Sequence, residues 1–129
     1  MKTKILVIED NEQNRYLLTF LLEQRGFEVS HALDGPKGIE LAATLQPALV
    51  LLDIQLPGMD GYAVARALRA YPALQAVPIV AVTSYAMAGD REKIMAAGCN
   101  GYLEKPINPE TFVSDIESFL RPPGKAGAP

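Results

Sequence analysis

Apolar residues in this chain gather in short unbroken runs at 5–8, 49–52 and 79–82, each bounded by polar residues. Runs of that length suit strands buried on both faces, as in a parallel sheet covered by helices. The segment 27–31 alternates apolar and polar residues like a further strand, and 101–104 begins a fifth. Between the strands the period changes. Leu17, Leu18, Leu21 and Leu22 recur at helical spacing within 12–25, and Gly26 follows as a stop. Asp34 is suited to cap a second helix that runs to Leu45, with Gln46 and Pro47 ending it. A third helix is predicted over 62–71, turning Val64, Ala65 and Leu68 inward, and a fourth over 87–97, closed by Gly98. The fifth has a clear start, with Asn108 as cap, Pro109 at the first position and Glu110 in the first turn. Its inward residues would include Phe112, Val113, Ile116, Phe119 and Leu120. Strand and helix thus alternate five times, which predicts an α/β fold: a parallel sheet with helices on both faces. Right-handed crossovers reduce the topologies to a few.

The predicted strand ends carry one chemical kit. Glu9 and Asp10 follow the first strand, Asp53 the third, Thr83 the fourth and Lys105 the fifth. In an open parallel sheet these ends face a common crevice, where such folds bind ligands. Two carboxylates ~5 Å apart at an effective dielectric of ~20 repel by roughly 3 kcal/mol, so the cluster needs a cation or a shared proton. Mg²⁺ suits it, because that ion is usually held by one or two carboxylates together with waters and phosphate. Asp53 is the residue best placed as a nucleophile, since a carboxylate can accept a phosphoryl group as an acyl phosphate. Lys105 would add a second positive clamp on the transferring oxygens. Pro106 follows it, and an X-Pro bond can be cis at modest cost, fixing a tight turn that aims the amine inward. Thr83 could donate a hydroxyl hydrogen bond to a phosphoryl oxygen, or be an ordinary strand-end residue. Tyr102 could be a core ring, or pivot into space that Thr83 vacates.

Composition narrows the class. A chain of 129 residues fits one domain, expected over 1–120, with the Pro- and Gly-rich 121–129 as disordered tail or linker. The one cysteine, Cys99, rules out an internal disulfide framework and fits a reducing compartment. No apolar run approaches the ~20 residues of a membrane-spanning helix, and the first, four residues long, is shorter than the ~7–15 of a signal-peptide core, so a cytoplasmic location is expected. The net charge of −3 and absence of a basic stripe argue against nucleic acid as a partner. His31, the single histidine, and the scattered methionines form no ligand set.

Together, Glu9-Asp10-Asn11, Asp53 with the following Leu56 to Gly61, Val82-Thr83-Ser84 and Tyr102-Leu103-Glu104-Lys105-Pro106 resemble the response-regulator receiver domain of two-component signalling. The likeness covers about residues 3–120. It implies the flavodoxin-like strand order 2-1-3-4-5. It also implies that Asp53 is the phosphoacceptor and that Asp10 and Asp53 ligate Mg²⁺. Glu9 would act through water, and the Gln55 backbone carbonyl would be a further ligand. Thr83 and Tyr102 match the switch pair, and Lys105 the phosphate-clamping lysine. The implied function is a phosphoprotein of a phosphorelay, not an enzyme beyond its own phosphoryl transfer and dephosphorylation. Its donor would be a histidine kinase or phosphotransfer protein. A downstream protein would read the face made by helix four, strand five and helix five. The stretch Ala81 to Asp90 and the pair Asn14-Arg15 look like stand-alone regulators of the DivK cell-cycle type and receivers of hybrid kinases.

Two rivals share parts of this pattern. An aspartate-nucleophile phosphatase expects a second acid two residues after the nucleophile, where this chain has Gln55. A phosphorylation-independent interaction module would not need the complete acceptor set. A dinucleotide or P-loop site is disfavoured, because neither glycine-rich phosphate cradle follows the first strand.

Overall fold

The apolar runs pair side by side in a computed structural model that describes residues 2–84 and 87–120. Tyr85, Ala86 and the expected tail at 121–129 lie outside the described residues. The strands are β1 (Lys4–Ile8), β2 (Glu28–Ala32), β3 (Leu49–Asp53), β4 (Ile79–Thr83) and β5 (Gly101–Glu104). All pair in parallel, in the order β2-β1-β3-β4-β5. The helices are α1 (Glu12–Gln24), α2 (Gly35–Leu45), α3 (Gly61–Arg69), α4 (Ala88–Ala96) and α5 (Pro109–Leu120).

Side-chain alternation along the strands divides the core into two layers. Leu6, Ile8, Val50, Leu52, Ile79 and Ala81 pack with Ala42 of α2, Val64, Ala65 and Leu68 of α3, and Ile94 of α4. Ile5, Val7, Leu49, Leu51, Val80 and Val82 pack on the other face with Leu18 and Leu22 of α1 and Phe112, Val113 and Ile116 of α5. Phe119 and Leu120, expected inward, are partly buried against that second layer. The central strands β3 and β4 are buried at every position, which is why their sequences show no alternation.

Helix starts follow the capping chemistry. The side chains of Asn11, Asp34 and Asp60 accept from the N–H groups of Asn14, Lys37 and Ala63, each at 2.9 Å. Asn108 accepts from the Glu110 N–H at 3.0 Å. Gly26, at φ +86°, takes the left-handed conformation that ends α1. Several boundaries depart from the sequence pattern by a residue: β2 runs Glu28–Ala32 rather than 27–31, α1 ends at Gln24, α3 begins at Gly61 and α4 ends at Ala96. Two further departures have a clear setting. The third helix stops at Arg69 rather than residue 71, because Pro72 keeps Tyr71 extended and a single 3-10 turn, Pro72–Leu74, follows. Met87 is the N-cap of α4, not its first residue, and makes no side-chain cap.

The Arg69 side chain makes a polar contact that the hydrophobic pattern does not announce. Its guanidinium donates to the carbonyls of Gly98 (2.9 Å), Leu74 (2.8 Å) and Val77 (2.8 Å), and to Asn100 Oδ1 (2.7 Å). Asn100 Oδ1 also accepts from the Ile79 N–H at 2.8 Å. One side chain therefore ties the end of α3, the start of β4 and the turn before β5, at the edge of the sheet opposite the polar strand ends.

Gly61 carries the close approach that sets α3 against the end of β3. A Cβ there would lie 2.5 Å from the Ile54 Cα and 2.6 Å from the Asp53 carbonyl oxygen. Both are backbone atoms and cannot rotate away. Gly61→Ala is expected to lower stability by about 1–3 kcal/mol, the usual cost of overpacking, read as a shift in the urea midpoint at unchanged slope.

Candidate functional site

Every polar residue predicted at a strand end arrives at the C-terminal edge of the sheet. Period-two alternation assigns each to a layer. Glu9 continues the Ile5 and Val7 series and Asp53 the Leu49 and Leu51 series, so both carboxylates lie toward α1 and α5. Thr83 continues the Ile79 and Ala81 series, toward the α3 and α4 layer, where Tyr102 also packs. Glu9, Asp53 and Thr83 are buried, at 1%, 3% and 1% exposure, whereas Asp10 is exposed.

Lys105 joins the two buried acids. Its Nζ lies 3.2 Å from Asp53 Oδ2 and 3.4 Å from Glu9 Oε1. The Lys105–Pro106 bond is cis, and the Lys105 N–H donates to the Thr83 carbonyl at 2.8 Å, so the lysine hangs directly from the end of β4. Asp53 is anchored on its other oxygen, where Oδ1 accepts from the Gln55 N–H at 2.9 Å. The Asn11 N–H donates to Glu9 Oε2 at 3.1 Å.

Two buried acids share one nearby amine, and the imbalance shows in Glu9. Burial, reinforced by the neighbouring Asp53 carboxylate, raises its carboxyl from 4.5 to about 7, against the opposing pull of the Asn11 N–H and Lys105. Glu9 Oε1 makes an ion pair with Lys105 but accepts no hydrogen bond. Glu9, Asp10 and Asp53 each bring a carboxylate oxygen within 4.8 Å of the others. A buried acid without a full set of partners, in an all-oxygen group, fits a hard divalent cation such as Mg²⁺. Asp10, Asp53 and the Gln55 carbonyl would hold it, with Glu9 behind.

Two residues that could have competed for a role do not. His31 is exposed on the edge strand β2. Cys99 is buried, and burial pushes its thiol up to about 11, which removes thiolate chemistry at neutral pH. The acidic loop also contains contacts that sequence reasoning did not assign: the Asn11 N–H on Glu9, and the Arg15 guanidinium on the Glu9 and Asp10 carbonyls, both at 3.2 Å. Their sequence signals were their positions after the acidic pair and the likeness carried by Asn11 and by Asn14-Arg15.

A 2-1-3-4-5 parallel sheet bearing a buried acid pair, a lysine and a threonine at one edge is the arrangement of the receiver class of signalling module. The model of the response regulator receiver domain matches residues 5–117, and the chain belongs to that family. It is 38% identical over 120 residues to the polar-differentiation response regulator DivK of Brucella anthropi, covering 93% of this chain and 98% of that protein. A response-regulator crystal structure from Chloroflexus aurantiacus superposes with a TM-score of 0.88 at 27% identity, covering 93% of this chain and 98% of the other. The receiver domain of a sensor histidine kinase from Pseudomonas aeruginosa does so at 0.86 and 32% identity, with 93% and 98% covered. That structure has a magnesium ion coordinated in its active site cleft.

Glu9 gives the metal-free protein a distinctive pH response. The fold holds its proton more tightly than the unfolded chain does. The stabilising contribution of this one group is therefore fully present below about pH 4.5 and is lost as pH rises through about 7, a decline of at most about 3 kcal/mol. In chelator, Glu9→Gln should remove that decline and exceed wild type in stability at pH 8. Urea midpoints measured from pH 4.5 to 8 check this, and equal pH slopes for the two proteins would count against it.

Proposed function

We propose that this chain is a phospho-accepting response regulator in which Asp53 takes a phosphoryl group from a phosphohistidine donor. The observation that carries this reading is the placement of Lys105 Nζ, 3.2 Å from Asp53 Oδ2 on one side and 3.4 Å from Glu9 Oε1 on the other. An amine held there is already aimed at the atom that would bond to phosphorus.

In the transfer, an Asp53 carboxylate oxygen attacks phosphorus, the bond to the donor imidazole nitrogen breaks, and the departing imidazole takes up a proton. Bound Mg²⁺ would neutralise charge on the transferring oxygens. The Gln55 N–H fixes the rotation of the Asp53 carboxylate, so the reacting oxygen need not search for its position. Lys105, tied to the end of β4 through its own N–H, then pairs with the added phosphoryl oxygens in place of the bare carboxylate.

The acyl phosphate adds ~−1.5 to −2 charge at one point, and the switch must convert that into a change of surface. Inverting a conformational balance from 1:99 to 99:1 takes about 5.5 kcal/mol of differential binding, whereas one hydrogen bond to a charged group supplies ~1.5–3. Thr83 and Lys105 therefore act together, with repacking of Tyr102 supplying the remainder. The register supports the coupling. Tyr102 pairs with Ala81 and Glu104 with Thr83, which puts Tyr102 and Thr83 on one layer of adjoining strands. The Arg91 guanidinium lies 5.6 Å from the Tyr102 ring centroid, so movement of the ring would be felt by α4.

The output face is the one formed by α4, β5 and α5. Met87 and Met95 stand 77% and 51% exposed there or beside it, which suits a protein partner. The donor is a histidine kinase or a phosphotransfer protein, and the cytoplasmic compartment expected from sequence belongs to the same proposal. Gln55, in place of the acid a phosphatase needs, keeps the reading away from turnover on small phosphoesters.

Phosphate incorporation from acetyl phosphate tests this reading, followed by intact mass with and without Mg²⁺. The wild type should gain one phosphate only with Mg²⁺, and Asp53→Asn should gain none. A phosphate retained in Asp53→Asn, or none in either protein, would overturn it.

A further inference from the structure

We propose that Arg15 is a positioning residue for the metal site, acting through the main chain of Glu9 and Asp10; this rests on the Mg²⁺ reading above. The strand that delivers the acidic pair ends at Ile8, so the carbonyls of Glu9 and Asp10 lie beyond the β1 ladder. Arg15, half-buried on α1, reaches back to both. Its Nη1 donates to the Glu9 carbonyl and to the Asp10 carbonyl, each at 3.2 Å. Its own N–H donates to the Asn11 carbonyl at 2.9 Å. The Glu9 N–H donates to the Ala32 carbonyl at 3.1 Å, and the Asn11 N–H to Glu9 Oε2 at 3.1 Å. The segment 9–11 is thus fixed along its length, and Arg15 supplies the hold on its carbonyl side.

The chemistry of that hold is unusual for a cation site. A fixed guanidinium beside three clustered carboxylates repels an incoming cation, so by charge alone Arg15 weakens Mg²⁺ binding. What it supplies instead is direction. With the two carbonyls turned onto Arg15, the side chains of Glu9 and Asp10 leave the main chain toward Asp53. Partners bonded to the ligating groups themselves are commonly worth about 10–100-fold in affinity, and a hold exerted through the main chain is expected at the lower end of that range. Charge and positioning therefore predict opposite signs for removal of Arg15: tighter binding if charge dominates, weaker binding if positioning does.

The test is titration of ¹⁵N-labelled protein with MgCl₂ at constant ionic strength, following the Gln55 amide in wild type, Arg15→Met and Arg15→Gln. Positioning predicts a Kd about tenfold higher in Arg15→Met. A smaller rise is expected in Arg15→Gln, which keeps an amide donor but no charge. The melting temperature in chelator should stay close to wild type in both, which separates a displaced ligand set from general loss of structure. Should Arg15→Met fail to fold, Arg15→Gln decides alone, because charge still predicts tighter binding there. An unchanged or lower Kd in a folded variant would overturn the role of Arg15 while leaving the metal site standing. Absence of Mg²⁺ binding by the wild type would overturn the metal site itself, and the role of Arg15 with it.

Discussion

The ion pairs from Lys105 to Asp53 and Glu9 are the constraint on which the functional end of this molecule depends. Two carboxylates at 3% and 1% exposure are costly to keep charged, and one amine within 3.4 Å cannot satisfy both. The excess shows in the Glu9 carboxyl, which burial raises well above the usual carboxylate range, and in Oε1 of that residue, which has no hydrogen bond. A site left short of positive charge is one that gains by taking up a cation. The same shortage makes the site sensitive: whatever enters it changes the forces on Lys105, and Lys105 hangs from the carbonyl of Thr83 at the end of β4.

Architecture decides where that imbalance can sit. The sheet is parallel and covered on both faces, so polar groups gather only at its edges. The C-terminal edge holds the acids, the lysine and the threonine. The opposite edge is closed by Arg69, whose guanidinium collects carbonyls from the 3-10 turn, from Val77 and from Gly98. The end of α4 is therefore pinned where α3 and β4 meet, while its start has only Met87 as an unassisted cap.

Much of this was legible in the sequence, for a physical reason. Strands buried on both faces must be continuous apolar runs, and the residue that ends such a run sits at the crevice, so Asp53, Thr83 and the acidic pair were visible from spacing alone. Caps were equally plain at Asp34 and Asn108, whereas those at Asn11 and Asp60 emerged only from the structure. What sequence could not supply were bonds made by side chains to distant main-chain groups. Arg69 contacts residues 5 to 31 positions away, and nothing in its local pattern distinguishes it from a solvated arginine on the last turn of α3. Arg15 presents the same difficulty at shorter range. Gly61 is similar: its need for glycine arises from the Ile54 and Asp53 backbone, not from a turn of its own.

The most direct measurement is a crystal structure of this protein with Mg²⁺ and beryllofluoride, a stable mimic of the phosphoryl group. Beryllofluoride should be bonded to a carboxylate oxygen of Asp53, with Mg²⁺ on Asp10, Asp53 and the Gln55 carbonyl. The Lys105 amine should have left Glu9 for a fluoride, and Thr83 should be drawn toward the same group. Beryllofluoride absent from Asp53 at saturating concentration, or bound there with Lys105 still bridging the two acids, would contradict the claim that this amine is the link between phosphoryl acceptance and the rest of the fold.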